Sequence, residues 1–227
     1  MMEHGLMKKT DCYAPYTGVD YTVLTSDKNR IAALDKARDM ATVRWIAPCD
    51  LVTWCSSKGI YSETVSEDGV KDTKYLKGKV YVGVAYTKKD HTYDDKKWLE
   101  KLSDLTSERA EKQYYKKHKK TGTAIGINCS YFVYVCLKNT GLDYRLTYQK
   151  TKIMMDSADY ILLENYGDLR PADLLLTNGH VRLFAGKTAD GKYAAFEATS
   201  KGSKCRYYEY GYDELEGYLP YRFKGFI

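Results

Sequence analysis

The sequence contains no C-x-x-C pair and no apolar run that approaches the roughly 18 residues needed by a membrane-spanning helix. The first absence argues against a structural zinc site, and the second predicts no insertion into a membrane. The six cysteines are irregularly spaced, and a chain of 227 residues can build its core without disulfides, so we expect most of them to be buried thiols. The first residues also lack the apolar centre of a signal peptide, so either the chain is not exported or its signal has been removed.

Histidine is scarce, with four copies, and tyrosine outnumbers phenylalanine by 23 to 5. So much tyrosine suits either a groove for an extended glycan or peptide, or the half-buried positions of a β-sheet. The net charge of +6 favours an anionic partner without choosing one. The basic cluster at 116–120 is typical of a solvated helix end, and no zinc-finger or RNA-binding motif is present, so we expect no nucleic-acid partner.

The hydrophobic pattern predicts an irregular lead-in over residues 1–25, followed by a single α+β domain over 26–227 with most strands in its second half. Apolar residues at helical spacing predict the helices, and β-branched or aromatic runs between turn-forming residues predict the strands. The predicted helices lie within 26–45, about 95–119 and 128–142, and the predicted strands within 78–87, 171–186 and 191–200.

A cysteine stands at the start of one predicted helix, in the segment TGTAIGINCSYFVYVCLKNTGL at 121–142. Asn128 is a preferred N-cap residue, so the helix would begin at Cys129. The N–H groups of a helix start carry partial positive charge, which stabilises a thiolate and also an oxyanion formed when a thiolate attacks a carbonyl. Cys129 is therefore a candidate nucleophile, although a cysteine in this place is also a common packing residue. The core-facing positions of the helix would be Phe132, Val133, Cys136 and Leu137.

The candidate imidazole partner for this thiol is His180, which opens a clear strand after the turn-like sequence TNG. His180 shares one face of that strand with Arg182. Glu197, on the next strand, is the candidate acceptor that would orient the imidazole. The two would lie opposite each other if the hairpin were centred between residues 188 and 189, whereas a turn at 190–191 would put Glu197 out of register.

Two blocks of the sequence resemble the NlpC/P60 family of cysteine peptidases, which are papain-like hydrolases of the cell wall. In the first block, GINCSYFVYVCLKNTGL, the residues Asn-Cys-Ser-Tyr-Phe-Val stand where the family has a motif close to Asp-Cys-Ser-Gly-Phe-Val. The second block, LRPADLLLTNGHVRLFAGK, is similar to the family's Leu-x-Pro-Gly-Asp-Leu segment followed by His-Val-x-Ile-Tyr. The segment YVGVAYT at 81–87 also resembles the Gly-x-Pro-Tyr stretch that precedes the nucleophile. The likeness covers about residues 78–200.

The resemblance implies an α+β, papain-like fold in which the nucleophile lies at a helix N-terminus packed on an antiparallel sheet. It implies a thiol hydrolase of endopeptidase type that cleaves an amide bond in peptidoglycan stem peptides and needs neither a metal nor an organic cofactor. The protein would be secreted or associated with the cell envelope. The implied catalytic residues are Cys129, His180 and Glu197, and the implied substrate-binding residues are Tyr86, Asn128 and Ser130.

Two departures from the family motif bear on the substrate. The neutral Asn128 replaces an aspartate that can meet a substrate amine, and Tyr131 replaces a glycine and would narrow the approach to the sulfur. Two other functions stay open at this point: a catalytically dormant module that binds the cell envelope, and a thiol acyltransferase on the same fold. The sequence indicates neither the bond that is cut nor the oligomeric state.

Overall fold

The computed structural model describes residues 12–48, 51–53, 73–75, 77–87, 94–103, 126–142, 145–202 and 204–227. Helices and antiparallel strands occur together in these residues, which confirms the predicted α+β class. The described α-helices are α1 (Lys28–Thr42), α2 (Asp95–Ser103), α3 (Cys129–Lys138) and α4 (Thr151–Asp156). The described strands are β1 (Arg44–Ile46), β2 (Leu51–Thr53), β3 (Thr73–Tyr75), β4 (Val80–Val82), β5 (Tyr160–Leu162), β6 (Leu174–Thr177), β7 (His180–Lys187), β8 (Tyr193–Thr199), β9 (Lys204–Tyr210) and β10 (Leu219–Phe223).

The main sheet has six antiparallel strands in the order β5-β10-β6-β7-β8-β9. All of them come from residues 160–223, which agrees with the expectation that the strands lie mostly in the second half of the chain. Two smaller antiparallel pairs, β1 with β4 and β2 with β3, are formed by the first part of the chain.

The two faces of the main sheet pack differently. Helices α1 and α3 pack against each other and against β7 and β8, and they cover one face with the larger apolar core. A smaller apolar cluster, which includes Leu175, Phe184 and Tyr210, lies on the opposite face. Because side chains alternate along a strand, His180 and Arg182 project to the same face as Phe184.

Helix α1 begins at Lys28 because the side chain of Asp27 accepts hydrogen bonds from the N–H groups of Asn29 and Arg30. The lead-in before it is also attached to the core. The ring of Tyr16 packs 5.7 Å from the ring of Phe196 on β8, measured between centroids. The sheet face under α1 is thus partly closed by aromatic residues from the start of the chain.

Two predicted elements differ from the observed ones. The strand expected at 78–87 stops at Val82 because Gly83 adopts a φ of +87°, and a Cβ there would meet the carbonyl oxygen of Cys205. In the helix expected at about 95–119, the described part is α2, in which Trp98 and Leu102 are buried. The remainder of that prediction, with the basic cluster, lies outside the described residues.

Candidate active site

Cys129 is the first residue of α3, as predicted from the sequence. The side chain of Asn128 caps this helix, since its Oδ1 accepts hydrogen bonds from the N–H of Tyr131 at 2.8 Å and from the hydroxyl of Ser130 at 3.2 Å. The cap does not use the N–H groups of Cys129 and Ser130, which also point toward the helix start. The predicted core face is confirmed, because each of its four side chains is buried: Phe132, Val133, Cys136 and Leu137.

The tight turn between β6 and β7 brings His180 to the start of α3. Gly179 in that turn adopts a φ of +112°, and its N–H donates to the hydroxyl of Thr151 at 3.0 Å. Its carbonyl oxygen lies 3.9 Å from Cys129 Sγ, a distance at which a thiol donates a weak hydrogen bond. The residue that opens β7 is therefore held beside the sulfur, although 51 positions separate Cys129 from His180.

Glu197 meets His180 through an irregular register of the hairpin. The turn spans residues 188–192, so it is centred on residue 190 and corresponds to the unfavourable alternative. A β-bulge between Phe184 and Gly186 then shifts the pairing by one residue. Without this shift Glu197 would pair with Leu183 and project into the apolar core under the helices. With it, Glu197 projects to the face of His180, and its Oε2 lies 2.7 Å from His180 Nε2.

The Glu197 carboxylate is the centre of a buried polar cluster. Its Oε2 also accepts from Arg182 Nε at 3.2 Å, and its Oε1 accepts from Arg206 Nε at 2.8 Å and from the hydroxyl of Tyr210. Glu197 itself is 1% exposed. A carboxylate with this many donors is fixed in position, so it can in turn fix the imidazole ring.

The electrostatics of the cluster favour an ionised His180–Glu197 pair. Burial opposes the charged imidazole, but the Cys129 side chain and the Glu197 carboxylate outweigh it and raise the pKa of His180 to about 9. Burial likewise opposes the Glu197 carboxylate, but His180, Tyr210 and Arg206 outweigh it and lower its pKa to about 2. His180 is therefore protonated at neutral pH, and its positive charge lies beside the sulfur. Because Nε2 is held by Glu197, Nδ1 is the ring nitrogen left to serve the thiol.

A cavity of about 270 Å³ opens beside Cys129. The three residues predicted to contact substrate all line it: Tyr86, Asn128 and Ser130. Tyr86 is held there by a parallel bridge to Ile127, just before the cap. Cys129 itself is 7% exposed, and it lines this cavity.

Sequence patterns did not indicate the opposite wall of this cavity, which is formed by Tyr148, Lys150 and Thr151. The ring of Tyr148 stacks on the ring of Tyr131 with 3.9 Å between centroids, and its hydroxyl lies 3.1 Å from that of Ser130. Tyr131, which stands where the motif has a glycine, thus packs against the wall residue Tyr148. No spacing in the sequence could reveal this wall, because Tyr148 lies in an irregular segment after α3.

A second cavity, of about 510 Å³, adjoins the first and shares Tyr86 and Gly179 with it. His180 and Glu197 line this second cavity, whereas Cys129 does not. Its walls include three cationic side chains that the sequence did not single out as functional, namely Arg182, Lys201 and Arg206. Of these three, the sequence indicated the position of Arg182 alone, because alternation along the predicted strand puts it on the same face as His180.

The other cysteines and histidines are either buried in the core or lie outside the described residues, apart from Cys12, which lines neither cavity. Cys136 and Cys205 are fully buried, and burial raises the pKa of each thiol. The histidines at 4, 91 and 118 and the cysteines at 49 and 55 lie outside the described residues. Within the described part of the chain, no group of three or more His, Cys, Asp or Glu side chains is placed to hold a metal ion. None of the described helices has the length and apolar character to cross a bilayer.

Comparisons of this chain with models of protein families, with curated proteins and with solved structures found no match.

Proposed function

We propose that this protein is a thiol hydrolase that cleaves an amide bond in peptidoglycan stem peptides, with a papain-like arrangement of NlpC/P60 type. The observation that carries the proposal is the imidazole of His180. Glu197 holds its Nε2 at 2.7 Å, and the Cys129 side chain is among the groups that raise its pKa to about 9. A thiol at a helix start next to an oriented, protonated imidazole is the arrangement by which cysteine hydrolases generate a nucleophile.

Acylation would begin with attack of the Cys129 thiolate on the carbonyl carbon of the substrate amide. The carbonyl π electrons move to oxygen, and the N–H groups at the start of α3 are available to stabilise that oxyanion. The tetrahedral intermediate collapses with loss of the C–N bond. The proton on His180 goes to the leaving amine, which departs and leaves a thioester on Cys129.

Deacylation reverses the role of the imidazole. The neutral His180 takes a proton from a water molecule as the oxygen of that water attacks the thioester carbonyl. The C–S bond breaks, the acyl group leaves as a carboxylic acid, and the thiolate–imidazolium pair is restored. Glu197 keeps the ring oriented and stabilises its positive charge through both steps.

The peptide part of the proposal is supported by the two adjoining cavities, one lined by Cys129 and the other by His180. An extended chain crossing the pair would place its acyl side in the cavity of Cys129 and its leaving amine in the cavity of His180. The cell-wall part rests on the motif resemblance alone, as does the location outside the cell.

The test is digestion of purified peptidoglycan followed by mass spectrometry of the released muropeptides. We expect the unaltered protein to release fragments in which one amide has gained water, and Cys129→Ala to release none. Cys12→Ala is the matched control, since this cysteine lines neither cavity, and it should retain full activity. Fragments joined to an amine would instead identify an acyltransferase, and release of fragments by Cys129→Ala would refute the proposed mechanism.

A catalytically dormant binding module is the second candidate, and the contact between Cys129 Sγ and the Gly179 carbonyl favours it. A carbonyl oxygen accepts a hydrogen bond from a thiol but repels a thiolate. The candidates differ in the reactivity of the sulfur. A working nucleophile is alkylated by iodoacetamide selectively at Cys129 well below pH 8, whereas a protonated structural thiol is not.

A further inference from the structure

Arg182 occupies an unusual position beside the catalytic pair. Its guanidinium lies between two aromatic rings, 3.7 Å from the centroid of Tyr210 and 4.0 Å from that of Tyr218. The side chain is 10% exposed, and its Nε donates to Glu197. Among the described residues, no atom accepts a hydrogen bond from its Nη1. A buried cationic donor without an acceptor is costly, so an arginine in this state is a candidate ligand site.

The charges around Glu197 also favour an anionic ligand in this cavity. One carboxylate, 1% exposed, is shared by the guanidinium groups of Arg182 and Arg206 and by the imidazole of His180. When the imidazole is protonated, three positive charges face one negative charge. Lys201 on the same cavity wall adds another cation, while Glu214 is exposed and its carboxylate accepts from the N–H of Gly211. The cavity therefore has an excess of positive charge, which an anion would neutralise.

The position of the cavity relative to the chemistry defines which part of a substrate would enter it. His180 lines this cavity and Cys129 does not. The imidazole delivers its proton to the leaving amine, so in the proposed hydrolase this is the side of the leaving group. We propose that the cavity is a carboxylate subsite, in which Arg182, assisted by Lys201, binds an anionic group on the residue that supplies the leaving amine. This inference rests on the proposed function for the direction of the substrate.

Two substrate groups share this chemistry. One is a carboxylate on the side chain of the leaving residue, and the other is the free α-carboxylate of a leaving residue that ends its chain. The cavity volume of about 510 Å³ is sufficient for either. The planar fork of a guanidinium suits both because it offers two parallel N–H donors to the two oxygens of a carboxylate.

The test measures binding instead of turnover, so it is independent of whether the protein hydrolyses anything. Cys129→Ala is titrated by NMR with four blocked dipeptides: acetyl-Ala-Asp-amide, acetyl-Ala-Asn-amide, acetyl-Ala-Ala with a free carboxylate, and acetyl-Ala-Ala-amide. We expect at least one carboxylate ligand to bind about tenfold or more tightly than its neutral partner, because hydrogen bonds to charged groups are the stronger ones. The aspartyl pair and the alanyl pair separate the two sources of the carboxylate. Equal affinities within both pairs, or no saturable binding of either carboxylate up to about 10 mM, would overturn the inference.

Variants then locate the contact. Arg182→Gln in the Cys129→Ala background should remove the preference for the carboxylate ligand, whereas Arg44→Gln, at an exposed arginine on β1 away from the cavity, should preserve it. Arg182→Gln also disturbs Glu197 and can affect folding, so Lys201→Gln, at an exposed cavity residue, is the second variant and should weaken the preference severalfold. A preference unchanged in both cavity variants would show that the carboxylate binds elsewhere.

Failure of this inference is distinguishable from failure of the proposed function. Peptidoglycan hydrolysis without carboxylate preference would leave the hydrolase intact and remove only the subsite. Carboxylate binding at Arg182 without hydrolysis would assign the cavity to a binding module.

Discussion

Glu197 Oε2 lies 2.7 Å from His180 Nε2, across a hairpin in which the two residues are not direct cross-strand partners. The contact is diagonal, and it exists because the bulge in β7 shifts the pairing by one residue. A carboxylate at this nitrogen sets the tautomer of the ring and stabilises its protonated form. Glu197 thus acts on Cys129 only through His180, which makes it a positioning residue.

Glu197→Gln should move the alkaline limit of activity to lower pH. The pKa of His180 is raised to about 9, so the protonated imidazole is lost, and activity with it, as the pH rises through that value. Without the carboxylate the imidazole loses one of the two partners that raise its pKa, so its pKa falls. We expect the alkaline limb of the kcat/KM profile to shift down by about one pH unit. Activity at neutral pH should fall about tenfold because the ring also loses the carboxylate that orients it.

The control for this change is Glu209→Gln, at a carboxylate on β9 that accepts from the Tyr207 hydroxyl and lines neither cavity. Its alkaline limb should coincide with that of the unaltered protein. An alkaline limb that stays in place in Glu197→Gln while activity falls would indicate a structural role for Glu197 and not an electrostatic one.

The helix start at Cys129 could be predicted from the sequence, because an N-cap asparagine and the periodicity of the buried face are local signals that act within one turn. The pairing of His180 with Glu197 could be predicted from the sequence, but the strand register that produces it could not. It depends on where the hairpin turns and on one extra residue in β7. The turn alone would put the two side chains on opposite faces of the sheet, and the extra residue returns them to one face. A bulge leaves no clear mark on an alternating pattern, except here the glycine next to it.

Gly186→Ala tests the importance of this bulge. Gly186 has a φ of +151°, and a Cβ there would meet Leu24 Cδ1 and lie 3.0 Å from Val19 Cγ1. We expect urea unfolding to show a loss of about 2 kcal/mol, because an L-residue is strained in this conformation, and activity to fall because Glu197 is displaced. Gly191→Ala in the same hairpin turn is the control, since its φ is +82° but its Cβ would meet nothing within 4 Å. It should lose only about 1 kcal/mol and keep its activity. Equal losses of activity in the two variants would contradict a specific role for the bulge.

Asp173→Asn should destabilise the protein without a direct effect on the chemistry. Asp173 is fully buried and accepts from Arg30 Nη1 at 2.9 Å and from Arg222 Nη2 at 2.6 Å. An asparagine would remove the buried negative charge that both guanidinium groups contact and leave Arg30 with its longer pair to Asp27 at 3.5 Å, so we expect a loss of about 3 kcal/mol in the free energy of unfolding. The control Asp190→Asn breaks a solvent-exposed pair with Lys192 and should unfold like the unaltered protein. Unchanged stability in Asp173→Asn would show that the two arginines find other partners.

The cationic residues of the second cavity illustrate what sequence patterns cannot supply. Arg182 could be placed on the face of His180 by alternation, but Arg206 comes from β9 and reaches Glu197 only because β9 pairs with β8. Their convergence is a property of strand order, which no local pattern encodes. For the same reason the sequence showed Asp173 only as part of a motif and did not reveal its two arginine partners, which lie 143 and 49 residues away.

Three of the four thiols in the described residues, Cys129, Cys136 and Cys205, should differ sharply toward iodoacetamide. Cys129 lines a cavity beside a protonated imidazole, whereas Cys136 and Cys205 are fully buried and burial raises the pKa of each. At pH 7 peptide mapping should therefore find Cys129 alkylated long before the other two, and unfolding in urea should abolish the difference. His180→Ala should slow alkylation at Cys129 about tenfold at pH 7, because the positive charge that favours the thiolate is gone. If the variant were alkylated equally fast at pH 7, the imidazole would have no effect on the reactivity of the Cys129 thiol. The basis for thiol catalysis in this chain would then be removed.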